Sequence, residues 1–333
     1  MTRNSEEIVN HSSISGLTPV AIDSDAGRDH VRILLALYQG AGTLKAQLDS
    51  FAGQSHHNWS LLVSDDGSHD GGRGLVQEFA DRKPDRVQLV SGPGSGFAAN
   101  FLSLLCRAGP HVPFAALSDQ DDVWLPGKLA RALSFLADVS PGRPAVYAGR
   151  TVICDHSLTP QRASPLWTRP PGFRNALVQS IAGGNTMVLN RAALDLVQET
   201  ARHATGIIAH DWWIYQIVTG AGGDIIYDLE PQVLYRQHGG NQIGANDTIL
   251  ASLRRLVHVL AGRFTAWNTA NIAALERANH WLTPEAREIL AIFKEMRGEP
   301  LAGRLAALRR SEIYRQTRRG NAALLAAAIL NKL

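Results

Sequence analysis

The chain has 333 residues, 45% of them hydrophobic and 19% charged, with a formal net charge of +3. That composition is globular, and no window reaches the ~18 apolar residues of a membrane-spanning helix, the nearest being AALLAAAIL at 322–330. Cys106 and Cys154 stand apart in apolar surroundings, which excludes a disulfide framework and a thiolate zinc site and points to a soluble or peripheral protein of a reducing cytoplasm.

Residues 1–30 are polar, lack the apolar stretch of a secretory signal and read as a flexible leader. VRILLALY (31–38) is an apolar run that ends at Gln39-Gly40-Ala41-Gly42, the pattern of a buried parallel strand feeding a loop. Thr43 is placed to cap the helix that follows. WSLLVSDDGSHDGG (59–72) repeats strand and Gly-rich loop, and RVQLV (86–90) and VPFAAL (112–117) are two further strands, with helices expected over 74–82 and 97–107. This alternation predicts a parallel sheet covered on both faces, with ligands beyond the carboxyl ends of its strands. Three of those ends carry polar clusters: Tyr38-Gln39, Ser64-Asp65-Asp66-Gly67-Ser68 and Ser118-Asp119-Gln120-Asp121-Asp122.

KLARALSFLADV after Pro126 reads as a helix, AVYAGRTVICD (145–155) as a strand, and QRASPLWTRPPGF (161–173) as a loop whose prolines forbid regular structure. GGNTMVLNRAALDLV (183–197) reads as a strand and then a helix, HDWW opens a helix at 211, and residues 224–244 hold two short strands and a Gly/Asn-rich loop. Beyond 245 the strands stop and helical periodicity takes over, which sets a boundary there. Charge divides at the same place: 14 Lys/Arg against 7 Asp/Glu from 245 onward, and 19 against 23 before it. The basic end points to an anionic partner. Aromatic-basic interleaving and zinc-finger spacing are both missing, which argues against nucleic acid. Residues 301–333, with seven basic residues, one acid and leucines at helical intervals, read either as a helix lying on an anionic membrane surface or as one packed against the catalytic domain or a second subunit.

Carboxylates two apart at a strand end suit Mg2+ or Mn2+, which take oxygen ligands and share them with a diphosphate. The alternative is a solvated acidic turn. Asp119 and Asp121 are assigned to the metal and diphosphate; Asp122, open to either reading, is assigned to the helix beginning at Pro126.

Six ordered segments, LLALYQGAGTLKAQLDSFAGQS, WSLLVSDDGSHDGG, SDQDDVWLPGKL, GGNTMVLNRAAL, HDWW and LYRQHGGNQIG, resemble a family 2 glycosyltransferase. The resemblance spans roughly residues 31–244 and is strongest to the rhamnosyltransferase-like branch. It implies an α/β GT-A fold, Rossmann-like and mostly parallel with helices on both faces, followed by the helical basic region 245–333. It implies that Ala36 and Tyr38 line the base pocket, that Asp65 contacts the base, that Asp119 faces the ribose or metal, and that Asp121 ligates the metal. Asn100 falls in a Gly-rich stretch near the donor, although a plain helix start explains it as well. Gly183, Gly184 and Asn185 match the loop on the acceptor side, and Trp212 or Trp213 could stack on a sugar, one of them belonging to the core. Asp211 corresponds to the general base and doubles as a helix cap; His210 stands where many family members carry Gly or Glu. His238 corresponds to a metal or diphosphate contact with Arg236 beside it.

The implied activity is inverting, metal-dependent transfer of a sugar, plausibly rhamnose, from a nucleoside-diphosphate donor (dTDP-rhamnose or a UDP-sugar) to a surface-polysaccharide or lipid-linked glycan. Such an enzyme would work in the cytoplasm, peripheral at the inner face of the cell membrane. A nucleotidyltransferase is the rival enzyme, but it needs a basic residue in the loop after the first strand, and Lys45 is distant. A non-catalytic sugar-nucleotide-binding scaffold is the rival outside enzymes, disfavoured by the presence of Asp121 and Asp211.

Overall fold

The computed structural model describes residue 18, residues 27–237 and residues 263–333. Residues 1–17 and 19–26 of the leader, the 244/245 boundary, the periodic stretch 253–262 and His238 lie outside these residues.

In chain order the first half runs β1 (Val31–Leu37), α1 (Ala41–Ala52), β2 (Trp59–Asp65), α2 (Gly72–Asp81), β3 (Val87–Ser91), α3 (Gly96–Arg107), β4 (Phe114–Ser118), β5 (Val123–Trp124) and α4 (Lys128–Leu136). The second half runs β6 (Ala145–Cys154), β7 (Pro160–Ala163), α5 (Phe173–Ala176), β8 (Val188–Asn190), α6 (Arg191–Thr200), α7 (His210–Gly220) and β9 (Asp224–Arg236). Four helices close the chain: α8 (Arg263–Arg277), α9 (Pro284–Met296), α10 (Leu301–Ser311) and α11 (Arg318–Ile329).

One sheet holds the strands in the order β3-β2-β1-β4-β8-β6-β9-β5, with β7 pairing β6 at the side. The expected parallel sheet is its first half, where β3, β2, β1 and β4 run the same way. From β8 onward the sheet is mixed, with β8 antiparallel to β4 and β6, β9 parallel to β6, and β5 antiparallel to β9. β1 is buried on both faces: Leu34 joins the apolar cluster of α3, α6 and α7, while Ile33, Leu35 and Leu37 join that of α1, α2 and α4. Double burial explains why this strand reads as a nearly continuous apolar run rather than an alternating one, interrupted only by buried Arg32, which donates to Ser60 Oγ.

Three local expectations are corrected. Helix α1 begins at Ala41 with no cap from Thr43, whose hydroxyl instead donates to the Gly40 carbonyl; the Ala41 N–H is satisfied from another loop, by Asp70 Oδ2 at 2.8 Å. The prolines of 161–173 do not keep that whole stretch irregular, because β7 forms from Pro160 to Ala163 as an exposed edge strand, a position where a proline costs no ladder bond. The two short strands of 224–244 are one strand, β9, interrupted by a bulge where the register against β6 shifts between Gly149 and Thr151. Asp228 anchors that bulge by accepting from Arg131, from the Tyr147 hydroxyl and from the Glu230 N–H.

The closing helices share a core with the sheet. Ile272, Leu275, Ile289, Phe293 and Met296 of α8 and α9, with Ala307, Leu324 and Ala328 of α10 and α11, belong to the same buried cluster as α3, α6 and α7. Among the described residues no helix is long and apolar enough to cross a membrane. Both cysteines are unpaired thiols.

Candidate active site

The chain runs from β1 outward to β2 and β3, then crosses to β4 on the other side of β1. The carboxyl ends of β1 and β4 therefore flank a crevice at the point where strand order reverses, the usual ligand position in such sheets.

Gln120 closes that crevice, a role the sequence reading misses because the residue sits between more conspicuous carboxylates. Its Oε1 accepts from the Tyr38 N–H at 2.7 Å and its Nε2 donates to the Tyr38 carbonyl at 2.8 Å. An added Cβ at Gly40 would fall 2.4 Å from the Gln120 amide, so a side chain there would have to displace that amide from Tyr38. The Tyr38 ring is left 59% exposed above partly buried Ala36, an open aromatic face at the mouth of the crevice.

The β2 loop is tied in on all sides. Asp65 is buried, accepts from the Ser68 N–H at 3.1 Å and pairs with Arg73 at 2.9 Å. Asp66 accepts from the N–H groups of Gly94 and Gly96 at 2.7 and 3.1 Å, fixing the loop that opens α3. Ser68 Oγ accepts from the Gln39 N–H at 3.0 Å. Asn100 is buried beneath and donates to the Ser64 carbonyl at 3.0 Å, so it braces the end of β2 from inside the protein.

The β4 loop carries the charge. Burial first, then the fields of Asp122, Asp121 and Asp211, hold the Asp119 carboxyl well above the usual carboxylate range. These interactions place Asp211, delivered by the first turn of α7, in the same acidic environment as the DQDD loop. Asp122 does not serve the helix after Pro126, whose cap is Gly127 without a side-chain bond. It is fully buried, accepts from Asn185 Nδ2 at 2.5 Å and from the Arg236 N–H at 3.2 Å, and is pushed up to about 7 by burial and by Asp121. Asp122 thus knots three segments together: the DQDD loop, the Gly183–Asn185 loop and the end of β9. Arg236 completes the knot by donating from Nε to the Asp121 carbonyl at 2.9 Å and from Nη1 to the His156 carbonyl. Its described bonds hold the loop rather than reaching outward toward a phosphate.

Lys128 is a second residue the sequence reading passes over, although its place one turn beyond the acidic loop is the signal. Its ammonium group is buried with no hydrogen-bond partner, lies 3.6 Å from the centre of the Trp124 ring, and is held down to about 7 by burial despite the field of Asp122.

Asp211 is not the N-cap of α7, which is Ala209. It sits in the first turn, where its Oδ1 accepts from the Trp212 N–H at 2.6 Å, and burial pushes its carboxyl up to about 6 against the pull of the Trp212 and Gly184 N–H groups. His210 beside it is buried, stacked on Phe101 at 3.8 Å, without a hydrogen bond at either ring nitrogen and held down to about 3 by burial. A Cβ on Gly184 would stand 2.3 Å from His210 Nε2, so this glycine is dictated by the histidine. The tryptophans offer no sugar platform: Trp213 is fully buried, and Trp212 is 7% exposed, donates to the Ala176 carbonyl at 2.7 Å and packs edge-on against Trp267. The exposed ring in this region is Phe97, at the start of α3 and 6.0 Å from His210.

Among the described residues no group of three His, Cys, Asp or Glu side chains is arranged to hold a metal ion. The donor chemistry of Asp119 and Asp121 nevertheless fits one, since the charges that raise Asp119 are those a dication would neutralise.

Residues 33–195 match the family model described as glycosyl transferase family 2. The chain carries a family 2 glycosyltransferase domain. Its relatives include the dTDP-rhamnosyl transferase RfbG of Shigella flexneri, 25% identical over 235 residues, which are 67% of this chain and 78% of that protein. The UDP-Glc:alpha-D-GlcNAc-diphosphoundecaprenol beta-1,3-glucosyltransferase WfgD of Escherichia coli is 28% identical over 165 residues, 50% of this chain and 62% of that one. Among solved structures, S. aureus TarS 1–349 in complex with UDP-GlcNAc superposes with a TM-score of 0.52 at 14% identity, covering 85% of this chain and 90% of that one. At that identity the likeness speaks for the GT-A fold alone. Enzyme class and fold agree with the resemblance seen in the sequence. The family match includes the β1, β2 and β4 loops and the Asn185 loop and ends before Asp211.

Proposed function

We propose that the protein is an inverting glycosyltransferase that moves a sugar from a nucleoside diphosphate to a glycan acceptor, with Asp211 as general base. The observation that carries this reading is the meeting of Asp119, Asp121, Asp122 and Asp211 in one desolvated environment at the β1/β4 crevice. In this reading the nucleotide base lies against Ala36 and the open ring of Tyr38, with Asp65 held ready by Arg73 and Ser68. Asp119 and Asp121 would hold Mg2+ or Mn2+, joined by His238, and the cation would supply positive charge to the departing diphosphate. The acceptor hydroxyl loses its proton to Asp211 as its oxygen bonds to the anomeric carbon, while the bond from that carbon to the diphosphate breaks. Burial that lifts Asp211 to about 6 leaves it a stronger base than an exposed aspartate and still ionised at neutral pH. Gly184, Asn185 and exposed Phe97 then border the acceptor side.

The relatives support the finer reading. RfbG is by name a dTDP-rhamnosyl transferase, which favours rhamnose from dTDP, and WfgD is by name specific for a diphosphoundecaprenol-linked sugar, which favours a lipid-linked acceptor reached at the inner face of the membrane. Thermal-shift measurements across dTDP-, UDP- and GDP-sugars, with and without Mn2+, test donor and metal together. The expected result is stabilisation by dTDP-rhamnose that requires Mn2+ and disappears in Asp121→Ala; full transfer activity in Asp121→Ala overturns the metal assignment.

A further inference from the structure

Residues 301–333 form a helical hairpin whose outward faces are sorted along their length. Inward, Ala307, Ile313, Leu324, Ala327, Ala328 and Leu333 are buried in the main core. The apolar stripe that would let such a helix lie flat on a membrane is thus already used in packing. Outward, α10 exposes Leu301 at its start and Arg309 and Arg310 at its end, while α11 exposes Arg318 and Arg319 at its start and Leu325, Ile329 and the following Leu330 in its second half. The two helices are antiparallel: Arg304 donates to the Ala328 and Ile329 carbonyls at 2.7 and 3.3 Å, setting the start of α10 against the end of α11. Like ends therefore coincide. Leu301, Leu325, Ile329 and Leu330, each 46–50% exposed, gather at one end and four exposed arginines at the other.

The concentration is unusual for this molecule, because half of its eight exposed large hydrophobics among the described residues lie in these last 33 positions. None of the four arginines pairs with a carboxylate among the described residues. The acid between them, Glu312, is directed to Arg174 at 3.6 Å. At about 1.5 Å per residue the arginines stand roughly 9–18 Å along the helix axes from the leucines. That spacing matches a surface-bound element whose apolar tip enters the acyl boundary by about 5–10 Å while its basic end stays among headgroup phosphates.

We propose that the outer edge of the α10–α11 hairpin docks the enzyme on an anionic lipid bilayer, leucine end inserted and arginine end on the phosphates. This deepens the reading of a lipid-linked acceptor, on which it rests for its biological purpose, but its test reads binding and not transfer. Full-length protein is floated with vesicles of phosphatidylcholine alone or mixed with phosphatidylglycerol. Wild type is expected to float with the mixed vesicles and to be released by high salt. Replacing Arg309, Arg310, Arg318 and Arg319 by Ser should weaken binding at least tenfold, at about fivefold per arginine near the surface. The triple variant Leu325→Ser/Ile329→Ser/Leu330→Ser should lose binding as well, with donor hydrolysis unchanged and melting temperature lowered only slightly, because these side chains are about half exposed. Absence of wild-type flotation, or flotation of both variants at the wild-type level, overturns the proposal. So does a leucine variant that floats normally but passes from dimer to monomer on gel filtration, which would make the edge an interface between copies of this chain. A chain that floats yet hydrolyses no donor would overturn the transferase reading and leave the docking surface standing.

Discussion

The two sides of the crevice are built on opposite principles. On the donor side nearly every polar group of the loops is answered: Asp65 by Ser68 and Arg73, Asp66 by Gly94 and Gly96, Asp70 by Ala41 and Gly72, and Gln120 by both backbone groups of Tyr38. The acceptor side instead holds His210 with neither ring nitrogen bonded and Asp211 raised by burial against its bonds from the Trp212 and Gly184 N–H groups, while buried groups without a partner elsewhere include the Lys128 ammonium and, at the end of β2, Ser64 Oγ and Asn100 Oδ1. Saturated loops hold one shape before any ligand arrives, which suits recognition of a fixed nucleotide. Desolvated, mutually repelling charges cost stability, and they cluster where proton transfer and charge neutralisation are required. The comparison teaches that substitutions on the two sides should fail differently: donor-side changes in KM, acceptor-side changes in kcat.

The largest effect is expected at Gly184. Gly184→Ala forces a Cβ to 2.3 Å from the His210 ring, so one of them must move. Overpacking of this kind costs about 1–3 kcal/mol, and since the Gly184 N–H bonds Asp211, kcat should fall with donor KM held. Chemical denaturation and steady-state kinetics check both, and Gly184→Ala/His210→Ala should recover most of the stability. Unchanged stability in the single variant would show that the contact is soft.

Next comes pH. Asp211 acts as carboxylate, so kcat should fall about tenfold per pH unit below its pKa of about 6. Linkage has the opposite sign. A carboxyl raised in the folded state binds more protons there than in the unfolded chain, so its contribution to stability is fully present in acid and is lost as pH rises from its ordinary value through about 6. A kcat profile flat over roughly three pH units around that pKa would break the contrast.

A smaller effect is expected on the donor side. Gln120→Ala removes two hydrogen bonds at Tyr38, about 1–3 kcal/mol together, and should raise donor KM while sparing kcat. A loss confined to kcat would mean that the β1 turn is not a donor cradle. Arg73→Ala should be smallest in its kinetics: Arg73 is 47% exposed but its partner Asp65 is buried, so the carboxylate keeps only the Ser68 N–H, stability should fall by about 1–3 kcal/mol, and donor KM should rise only modestly.

Much of this was legible from the chain. VRILLAL, WSLLVSD and FAALS read as strands because burial on both faces leaves few polar positions within them, Arg32, Ser60 and Ser64 being the buried exceptions, and the charges at their ends mark where the apolar runs stop. The acidic loop, the Asn185 loop and the helix bearing Asp211 follow from the same logic. What escaped is tertiary. The pairing of Val123–Trp124 with β9, and of β7 with β6, depends on partners far along the chain, and two residues carry no periodicity. Asp122 stands near a helix start in sequence, yet its partners are Asn185 and Arg236, 63 and 114 residues away. Trp212 was assignable to site or core only once Ala176 and Trp267 were seen around it. The basic tail kept two readings open because amphipathic spacing does not reveal which face another part of the protein will cover.

The central claim is that Asp211 removes the acceptor proton beside a donor site that it does not build. It is tested most directly by measuring single-turnover transfer in Asp211→Asn alongside the dissociation constant of the donor. The account predicts transfer reduced by about 10²–10⁴-fold, with donor affinity within about threefold of wild type. Transfer at the wild-type rate, or loss of donor binding equal to the loss of rate, would contradict it.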